Sequence, residues 1–400
     1  MIPMLDMVVF PGYNSRHCPL AFFAWKGKND GAVSDFYSTP EAHMTNVNTP
    51  KCGCCFIISL DVLRALAQGQ KIDTADRATY QRAYATTQKL RLVREGHRLA
   101  SLAGQQSGLA LRATAVAKQP VEHVFDCKHG TTLPGTPVPD PTEPAFKTVF
   151  DTTAKVAEFY KTVLGRNSVD NQGMDLVSSL NYDQDYQNAF WDGQQMVYGN
   201  GDNKVFIDFW RSPDVIGHEL THGVTQHESG LIYEGQSGAL NESISDCFGA
   251  VFAQWLADKP ASDASGWLIG AGIMGPAAKA KGFTCLRDMV NPSAAHCLSR
   301  QPASYKDLDP TADVHENSGV ANRAFAVFAQ NLGGNSYDMA IKVWYAACVS
   351  GLSSRATFVD FAQATITAAE KRGPTVAKAA TDAWRTVDLS VEPPHSALAA

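Results

Sequence analysis

The chain has 400 residues, of which 44% are hydrophobic and 18% charged, and this ordinary globular composition is sufficient for two or three domains. Its formal net charge of -6 argues against a general nucleic-acid binder, because surfaces that bind phosphates are basic. No stretch approaches the length of about 18 apolar residues that a membrane span requires.

The cysteines and the N-terminus bear on the cellular compartment. The nine cysteines are too sparse for a disulfide scaffold, and their odd number leaves at least one unpaired. The cluster Cys52-Gly53-Cys54-Cys55 could bind a metal ion, but no partner pair follows at zinc-finger spacing. Residues 1–10 are apolar but lack the basic start of a signal peptide and are interrupted by Asp6. We therefore expect a cytoplasmic protein, or one exported by a non-standard route.

The N-terminal part of the chain differs in pattern from the rest. Residues 1–50 show no clear hydrophobic periodicity. From Phe56 to about Ser107, apolar and long polar residues are interleaved in a pattern typical of helices. A β-like segment follows at residues 121–127, and then a Pro/Gly-rich loop at residues 131–144. The pattern predicts an N-terminal region, residues 1–115, ahead of the main body.

The main body begins with mixed elements and continues with helices. A helix is predicted at residues 145–163, followed by strand-like segments up to Trp210, with a hairpin at Gly199-Asn200-Gly201-Asp202. The later predicted helices cover residues 215–226, 241–256, 318–331, 337–350 and 357–372. We predict an α+β fold with a mixed α/β domain at residues 116–228 and an α-helical domain at residues 229–400.

The sharpest motif is His218-Glu219-Leu220-Thr221-His222. Histidines four residues apart project from one helix face, so both imidazoles can reach one ion. Glu219 points about 100° away from His218 around the helix and can contact a metal-bound water rather than the metal. The alternative is a helix with two incidental histidines.

A second polar pair weakens that alternative. Glu242 and Asp246 are also four residues apart in a predicted helix. A catalytic zinc ion takes three protein ligands, and Glu242 can supply the third. Asp246 can accept a hydrogen bond from the far nitrogen of a ligand histidine and so define its tautomer.

Several segments together resemble signatures of the thermolysin family of zinc metalloproteases. They are YQNAFWDGQQMVYG, HELTHGVT, GLIYEGQSGALNESISD, CLRDMVNPS and VHENSGV. The resemblance runs from about Asp126 to Val387. It implies a two-domain catalytic unit with zinc in the cleft, and a neutral endopeptidase that cuts before bulky hydrophobic residues.

The resemblance also implies the roles of individual residues. His218, His222 and Glu242 would bind one zinc ion, and Glu219 would act as the general base. Tyr233 and His315 would stabilise the oxyanion, with Asp246 behind the ligands. The substrate-binding positions that it implies are Asn188, Ala189 and Arg287 for the backbone, and Phe206, Val215, Ile269 and Leu286 for the S1′ pocket. Without the resemblance, these last four residues would be interpreted as core packing.

The sequence departs from the family at two places. The family has an aspartate five residues before the histidine that corresponds to His315, but this chain has Pro310 there, with Asp309 and Asp313 nearby. Of the acidic residues that bind the family's main calcium ions, only Asp214 is clearly kept, so a calcium site is doubtful.

The region before Val121 resembles the short propeptide of protealysin-like members, which would inhibit the enzyme until it is cut. Such propeptides carry a proline pair near their start, whereas the corresponding place in this chain reads Phe56-Ile57-Ile58-Ser59-Leu60. Met44 would make a natural start for such a propeptide, and self-processing is expected within residues 105–120. The implied partners are protein or peptide substrates and the propeptide itself, with no nucleic acid and no membrane span.

Two other functions remain open at this stage. A zinc hydrolase acting on other substrates is opposed by Asn188-Ala189 and Arg287, which suit a peptide backbone. An inactive binding module is opposed by the presence of Glu219 and all three expected ligands.

Overall fold

The structure is a computed structural model, and it describes residues 55–72, 77–90 and 118–391. All of these residues belong to one structural unit, Pro50–Ala400. The predicted start at Met44 and nearly all of the expected cleavage region lie outside the described residues.

The strands form one large and one small sheet. They are β1 (Cys55–Phe56), β2 (Glu122–Asp126), β3 (Thr136–Pro137), β4 (Leu176–Leu180), β5 (Ala189–Trp191), β6 (Met196–Tyr198), β7 (Leu268–Ile269) and β8 (Arg287–Asp288). The large sheet has the order β1-β5-β6-β4-β2-β3, and β7 pairs with β8. Strands β2, β4 and β6 are parallel, whereas β1 and β5 pair in antiparallel fashion at one edge.

Helices precede and follow the sheet. They are α1 (Leu60–Ala67), α2 (77–90), α3 (Pro144–Leu164), α4 (Pro213–His227), α5 (Gly235–Leu256), α6 (Pro276–Ala280), α7 (Val314–Asn317), α8 (Gly319–Leu332), α9 (Ala340–Cys348), α10 (Phe358–Glu370) and α11 (Pro374–Thr386). Short 3₁₀ helices lie at Phe209–Arg211, Ala264–Trp267, Ala271–Ile273 and Tyr305–Asp307. None of the helices in the described ranges is long and apolar enough to cross a bilayer.

Local sequence explains where several helices begin and end. Helix α3 starts at Pro144, whose fixed φ suits a first turn, and ends at Gly165 with a φ of 67°. Helix α10 starts with a capping box between Thr357 and Asp360. In the helical half, Trp344 of α9 stacks on Trp384 of α11 at a centroid distance of 5.9 Å.

The pair of helices α4 and α5 lies at the centre of the molecule. From Asp214 to Gln226 every side chain of α4 is buried, which is typical of a helix packed on all sides. A Cβ at Gly249 of α5 would lie only 2.4 Å from the carbonyl oxygen of Asp214. This close crossing brings polar groups of both helices within contact distance in the interior.

The predicted fold class is confirmed, since a mixed sheet half is followed by a helical half and preceded by a mostly helical segment. Helix α5 begins six residues before its predicted start, and α6, α7 and α11 were not predicted.

The predicted hairpin at residues 199–202 is wrong. The turn between β5 and β6 lies at Asp192–Gln195, where the N–H of Asp192 donates to the carbonyl of Gln195 at 3.1 Å. Asp202 accepts from the N–H groups of Lys204 and Val205, so the chain turns away after β6.

The N-terminal segment packs on the rest of the unit. Strand β1 extends the sheet at the β5 edge, with Cys55 opposite Trp191. The hydroxyl of Tyr80 in α2 donates to Asp202 at 2.6 Å, and Thr87 contacts the Tyr186 hydroxyl at 2.9 Å. The segment is therefore anchored both on the sheet edge and beside it.

Candidate active site

Three predicted ligands meet where α4 and α5 cross. The Nε2 atoms of His218 and His222 lie 2.9 Å apart. Glu242 Oε2 is 3.4 Å from Nε2 of His218, and Oε1 is 3.5 Å from Nε2 of His222. A tetrahedral zinc site with bonds of about 2.0 Å has ligand atoms about 3.3 Å apart. The three groups are therefore arranged to hold one such ion.

The far nitrogens of both histidines are hydrogen-bonded. Nδ1 of His218 lies 2.8 Å from Asp246 Oδ1, and Nδ1 of His222 lies 2.8 Å from Asn241 Oδ1 and 2.9 Å from the Ser245 hydroxyl. Because Asp246 can only accept, Nδ1 of His218 carries the proton. The Nε2 lone pairs thus face each other, and a proton or a cation must lie between them.

Charge in this buried cluster favours cation binding. Burial alone would lower the pKa of His218, but the hydrogen bond to Asp246 and the charge of Glu242 raise it to about 10. Burial would raise the pKa of Glu242, but the nearby histidines hold it well below its usual value. Oε2 of Glu242 is buried and accepts no hydrogen bond from a described residue. The donor set and this orphaned oxygen fit a divalent metal.

Glu219 lies on the same helix as the predicted ligands His218 and His222. It follows His218 on α4 and is fully buried. Burial of Tyr198 raises the pKa of its hydroxyl well above the ordinary value, and the negative charge of Glu219 raises it further. The carboxylate therefore lies inside the protein.

Tyr233 and His315 also join the cluster. The Tyr233 hydroxyl donates to Oε1 of Glu242 and lies 3.3 Å from Nε2 of His315. Nδ1 of His315 lies 2.5 Å from Oδ1 of Asp313, which also caps the start of α7. Asp309 instead accepts from Thr311 at 2.7 Å. Asp313 is thus the aspartate that orients the His315 ring.

The residues predicted to hold a substrate backbone hold the chain's own N-terminal segment. The side-chain oxygen of Asn188 accepts from the N–H of Ile58 at 2.9 Å, and its amide donates to the carbonyl of Ile58 at 3.0 Å. The N–H of Ile57 donates to the carbonyl of Ala189 at 3.2 Å. Arg287 Nη1 donates to the carbonyl of Ile57 at 2.9 Å.

The carbonyl of Phe56 points to His315, whose Nε2 donates to it. Both ring nitrogens of His315 thus face acceptors. Burial would lower the pKa of His315, but the charges of Glu242 and Asp313 raise it. The ring is therefore held as a donor towards this carbonyl.

Asp246 connects these groups. Its Oδ1 accepts from Nη2 of Arg287 at 2.7 Å and from Nδ1 of His218 at 2.8 Å. Its Oδ2 accepts from Nε of Arg287 and from the amide of Asn322, each at 2.8 Å. Burial would raise its pKa, but Arg287 and His218 lower the pKa to about 2. Asp246 is thus held as a carboxylate that positions both the His218 ring and the Arg287 guanidinium.

Asn241, Ser245 and Asn322 were missed by the sequence analysis. Asn241 and Ser245 precede Glu242 and Asp246 by one residue each, so the same four-residue spacing could have pointed to a second supporting pair. Asn322, in α8, gave no such signal.

The four predicted pocket residues are all buried, as Phe206, Val215, Ile269 and Leu286 belong to the main hydrophobic core. Ile269 pairs with Arg287 across β7 and β8, and the N–H of Leu286 donates to the carbonyl of Ile269 at 2.9 Å. Two of the four are therefore neighbours of the arginine that contacts Ile57. Their role as a pocket stays a prediction.

Asp214 has protein partners for both of its oxygens. Oδ1 accepts from the Ser212 hydroxyl, and Oδ2 accepts from the N–H of Gly270 at 2.6 Å. Burial raises its pKa. This carboxylate thus joins the start of α4 to the loop after β7.

Comparison with known proteins agrees with this arrangement. The family model of the thermolysin metallopeptidase catalytic domain matches residues 126–226, and that of the thermolysin metallopeptidase alpha-helical domain matches residues 229–389. A protein named extracellular metalloprotease, from Pectobacterium carotovorum subsp. carotovorum, is 42% identical over 245 residues, which cover 58% of this chain and 70% of that protein. Protease PrtS from Photorhabdus sp. (strain Az29) is 38% identical over 287 residues, which cover 67% of this chain and 76% of that protein.

A solved structure resembles both the N-terminal segment and the main body. The precursor of protealysin, a metalloproteinase from Serratia proteamaculans, superposes with a TM-score of 0.69 at 33% identity, covering 84% of this chain and 100% of that chain.

The expected cytoplasmic location is contradicted by these relatives. The Pectobacterium protein is named as extracellular. The physical basis of the expectation was weak, because free cysteines in a protein interior are shielded from oxidation in any compartment. The six described cysteines are all buried.

Proposed function

Because this chain belongs to the thermolysin family of metallopeptidases, we propose that its buried cluster is the zinc site of a self-processing, exported endopeptidase precursor. The observation that carries the proposal is the convergence of two imidazole nitrogens and one carboxylate at 2.9–3.5 Å. The predicted domain boundaries, residues 1–115, 116–228 and 229–400, are part of the proposal.

His218, His222 and Glu242 would hold one zinc ion. Zinc bound there would polarise the attacking water and the scissile carbonyl. Asp246, Asn241 and Ser245 hold the two imidazoles through Nδ1, so that both Nε2 atoms face the ion.

The remaining groups act on protons and on the developing charge. Glu219 takes a proton from the attacking water and later delivers it to the leaving nitrogen. Tyr233 and His315 donate hydrogen bonds to the oxyanion, and Asp313 holds the His315 ring in place. The contact of His315 with the carbonyl of Phe56 supports this role.

The substrate backbone would add to the edge of the sheet at β5, as β1 does. Asn188, Ala189 and Arg287 would contact the residue after the cleaved bond and its neighbour. Ile57, whose carbonyl Arg287 binds, occupies the position of that first residue. We infer cleavage before bulky apolar residues, since burying such a side chain is worth about 1.5–3 kcal/mol.

The same contacts support an inhibitory role of the N-terminal segment. Residues 56–58 use the hydrogen-bonding groups that a substrate needs, so substrate and segment exclude each other. Removal of the segment would open the site. We infer export from the extracellular naming of the Pectobacterium relative.

The test is a peptide-library digest with the cut protein, read by mass spectrometry. We expect cleavage before Leu, Ile, Val or Phe and one zinc ion per chain. The Glu219→Gln variant, which keeps all three ligands, is the matched control for contaminating proteases. Cleavage that favours charged residues after the cut bond would contradict the specificity, and a zinc-free active protein would contradict the site.

A further inference from the structure

Cys55 lies immediately before the segment that occupies the site. Its side chain is fully buried and clusters with Tyr233 and Val314. Its sulfur lies within 4.8 Å of a ligand atom on each of two expected zinc ligands, His222 and Glu242. The strand pairing of β1 with β5 sets this position.

The segment lies across the site in the manner of a substrate. The carbonyl of Phe56 faces the oxyanion donor His315, and the next carbonyl, that of Ile57, faces Arg287. The peptide group between Phe56 and Ile57 is thus presented for hydrolysis. An inhibitory segment bound in this way needs a reason to resist cleavage.

A thiolate supplies that reason. Three protein ligands leave zinc one open position for the attacking water, whereas a fourth, sulfur ligand gives the closed coordination typical of structural sites. With a zinc–sulfur bond of about 2.3 Å, the sulfur would lie about 3.5 Å from the other ligand atoms, so it has to approach His222 and Glu242, from whose ligand atoms it lies up to 4.8 Å away. The orphaned Oε2 of Glu242 is an independent sign that a cation belongs between these groups.

We propose that the Cys55 thiolate is the fourth ligand of the active-site zinc in the precursor and occupies the position that the attacking water needs. This inference rests on the proposed function. On binding, the Cys55 thiol releases its proton to solvent and a water molecule leaves. When the N-terminal segment departs after processing, the sulfur is withdrawn and water returns, so Glu219 again has a proton to accept.

The test uses cobalt in place of zinc in the full-length chain. The Glu219→Gln variant keeps the precursor uncut, and a thiolate bound to Co²⁺ gives a charge-transfer band in the near ultraviolet. We expect this band in the Glu219→Gln precursor and its loss when Cys55→Ser is added. Loss of the band after the segment is cut off by an added protease is also expected.

A second thiol group provides the control. Cys285, His296 and Cys297 also lie within 4.8 Å of one another and could bind cobalt themselves. Since the proposal assigns the band to Cys55, Cys297→Ser should leave it unchanged. A band that persists in Cys55→Ser but disappears in Cys297→Ser would overturn the proposal.

Thiol labelling gives a readout that does not depend on spectra. With zinc bound, Cys55 should resist iodoacetamide, and removal of zinc by 1,10-phenanthroline should allow its alkylation, as mapped by mass spectrometry. Equal labelling with and without zinc would contradict the proposal.

Metal stoichiometry separates the two failures. One equivalent of cobalt that is lost in His222→Ala but shows no thiolate band would refute only the role of Cys55. Failure to bind any metal at His218, His222 and Glu242 would refute the proposed function itself.

Discussion

Glu219 and His222 lie less than one helical turn apart on α4, yet their loss should have opposite signatures. Glu219→Gln removes the proton acceptor but none of the ligands, so zinc should stay bound while kcat falls about a hundredfold to ten-thousandfold. His222→Ala should lose zinc together with activity. Metal analysis and peptide turnover on the same samples check both results. Near-native turnover of Glu219→Gln would refute the mechanism.

The two aspartates near His315 offer a matched pair of substitutions. In Asp313→Asn the amide oxygen can still accept from Nδ1, but the lost negative charge no longer favours the doubly protonated ring, so the neutral ring keeps its proton on Nδ1 and no longer donates through Nε2. We expect kcat to fall by about a hundredfold, with KM little changed. Asp309→Asn, which has the same chemistry away from the ring, should retain nearly full kcat. Equal losses in steady-state kinetics of the two variants would contradict this assignment.

Much of the site could be predicted at the level of single residues, because its strongest signals are local. The four-residue spacings in α4 and α5 identify His218, His222, Glu242 and Asp246 as a group. Asp313 could not be chosen over Asp309 from the sequence, since the choice depends on how the chain turns into α7. The pocket residues gave no signal of their own, because a pocket-lining side chain and a core side chain are both apolar.

Between elements, the carboxylate of Asp214 joins the start of α4 to the loop after β7 through hydrogen bonds. Its oxygens are taken by Ser212 and the N–H of Gly270. A calcium site saturated a hundredfold above its Kd would add about 2.7 kcal/mol to the free energy of unfolding. We expect no such gain, so Tm should be the same with and without calcium when zinc is supplied. A Tm several degrees higher in calcium would show that other oxygen ligands form a site.

The secondary-structure predictions were accurate for long segments with regular hydrophobic periodicity. They failed where a turn determined the direction of the chain. Helices α3 and α4 carry regular patterns with Pro at the start, and both were predicted to within two residues of their bounds. The hairpin at Gly199 failed because Asp202 turns the chain towards Met274, with which Phe206 forms an isolated bridge. That bridge joins residues far apart in sequence, and turn rules based on neighbouring residues cannot predict such a contact.

For the whole molecule, full activity should appear only after the N-terminal segment is cut. Asn188 and Arg287 are both occupied by residues 57–58 in the uncut chain. Peptidase activity should therefore rise in step with the disappearance of the precursor band during limited proteolysis. The Glu219→Gln precursor, cut in the same way, should show no rise and controls for the added protease. Full turnover by a chain that stays intact on gels would rule out the inhibition.

The position of the segment itself was beyond sequence reasoning. The contact between Arg287 and Ile57 spans 230 residues, and no periodicity connects two positions so far apart. Only the resemblance suggested that residues 56–60 belong to an inhibitory region.

The single carboxylate of Asp246 would couple metal binding at the proposed site to peptide binding at Arg287. It holds the ring of His218 on one side and the guanidinium of Arg287 on the other. A peptide that moves Arg287 would change the electrostatic potential at His218. A metal bound to His218 would likewise change the potential at Arg287. If bound metal changes the affinity for peptide by some factor, bound peptide must change the affinity for metal by the same factor. In the proposed site, retention of the metal and recognition of the peptide would therefore be one coupled equilibrium, centred on α5.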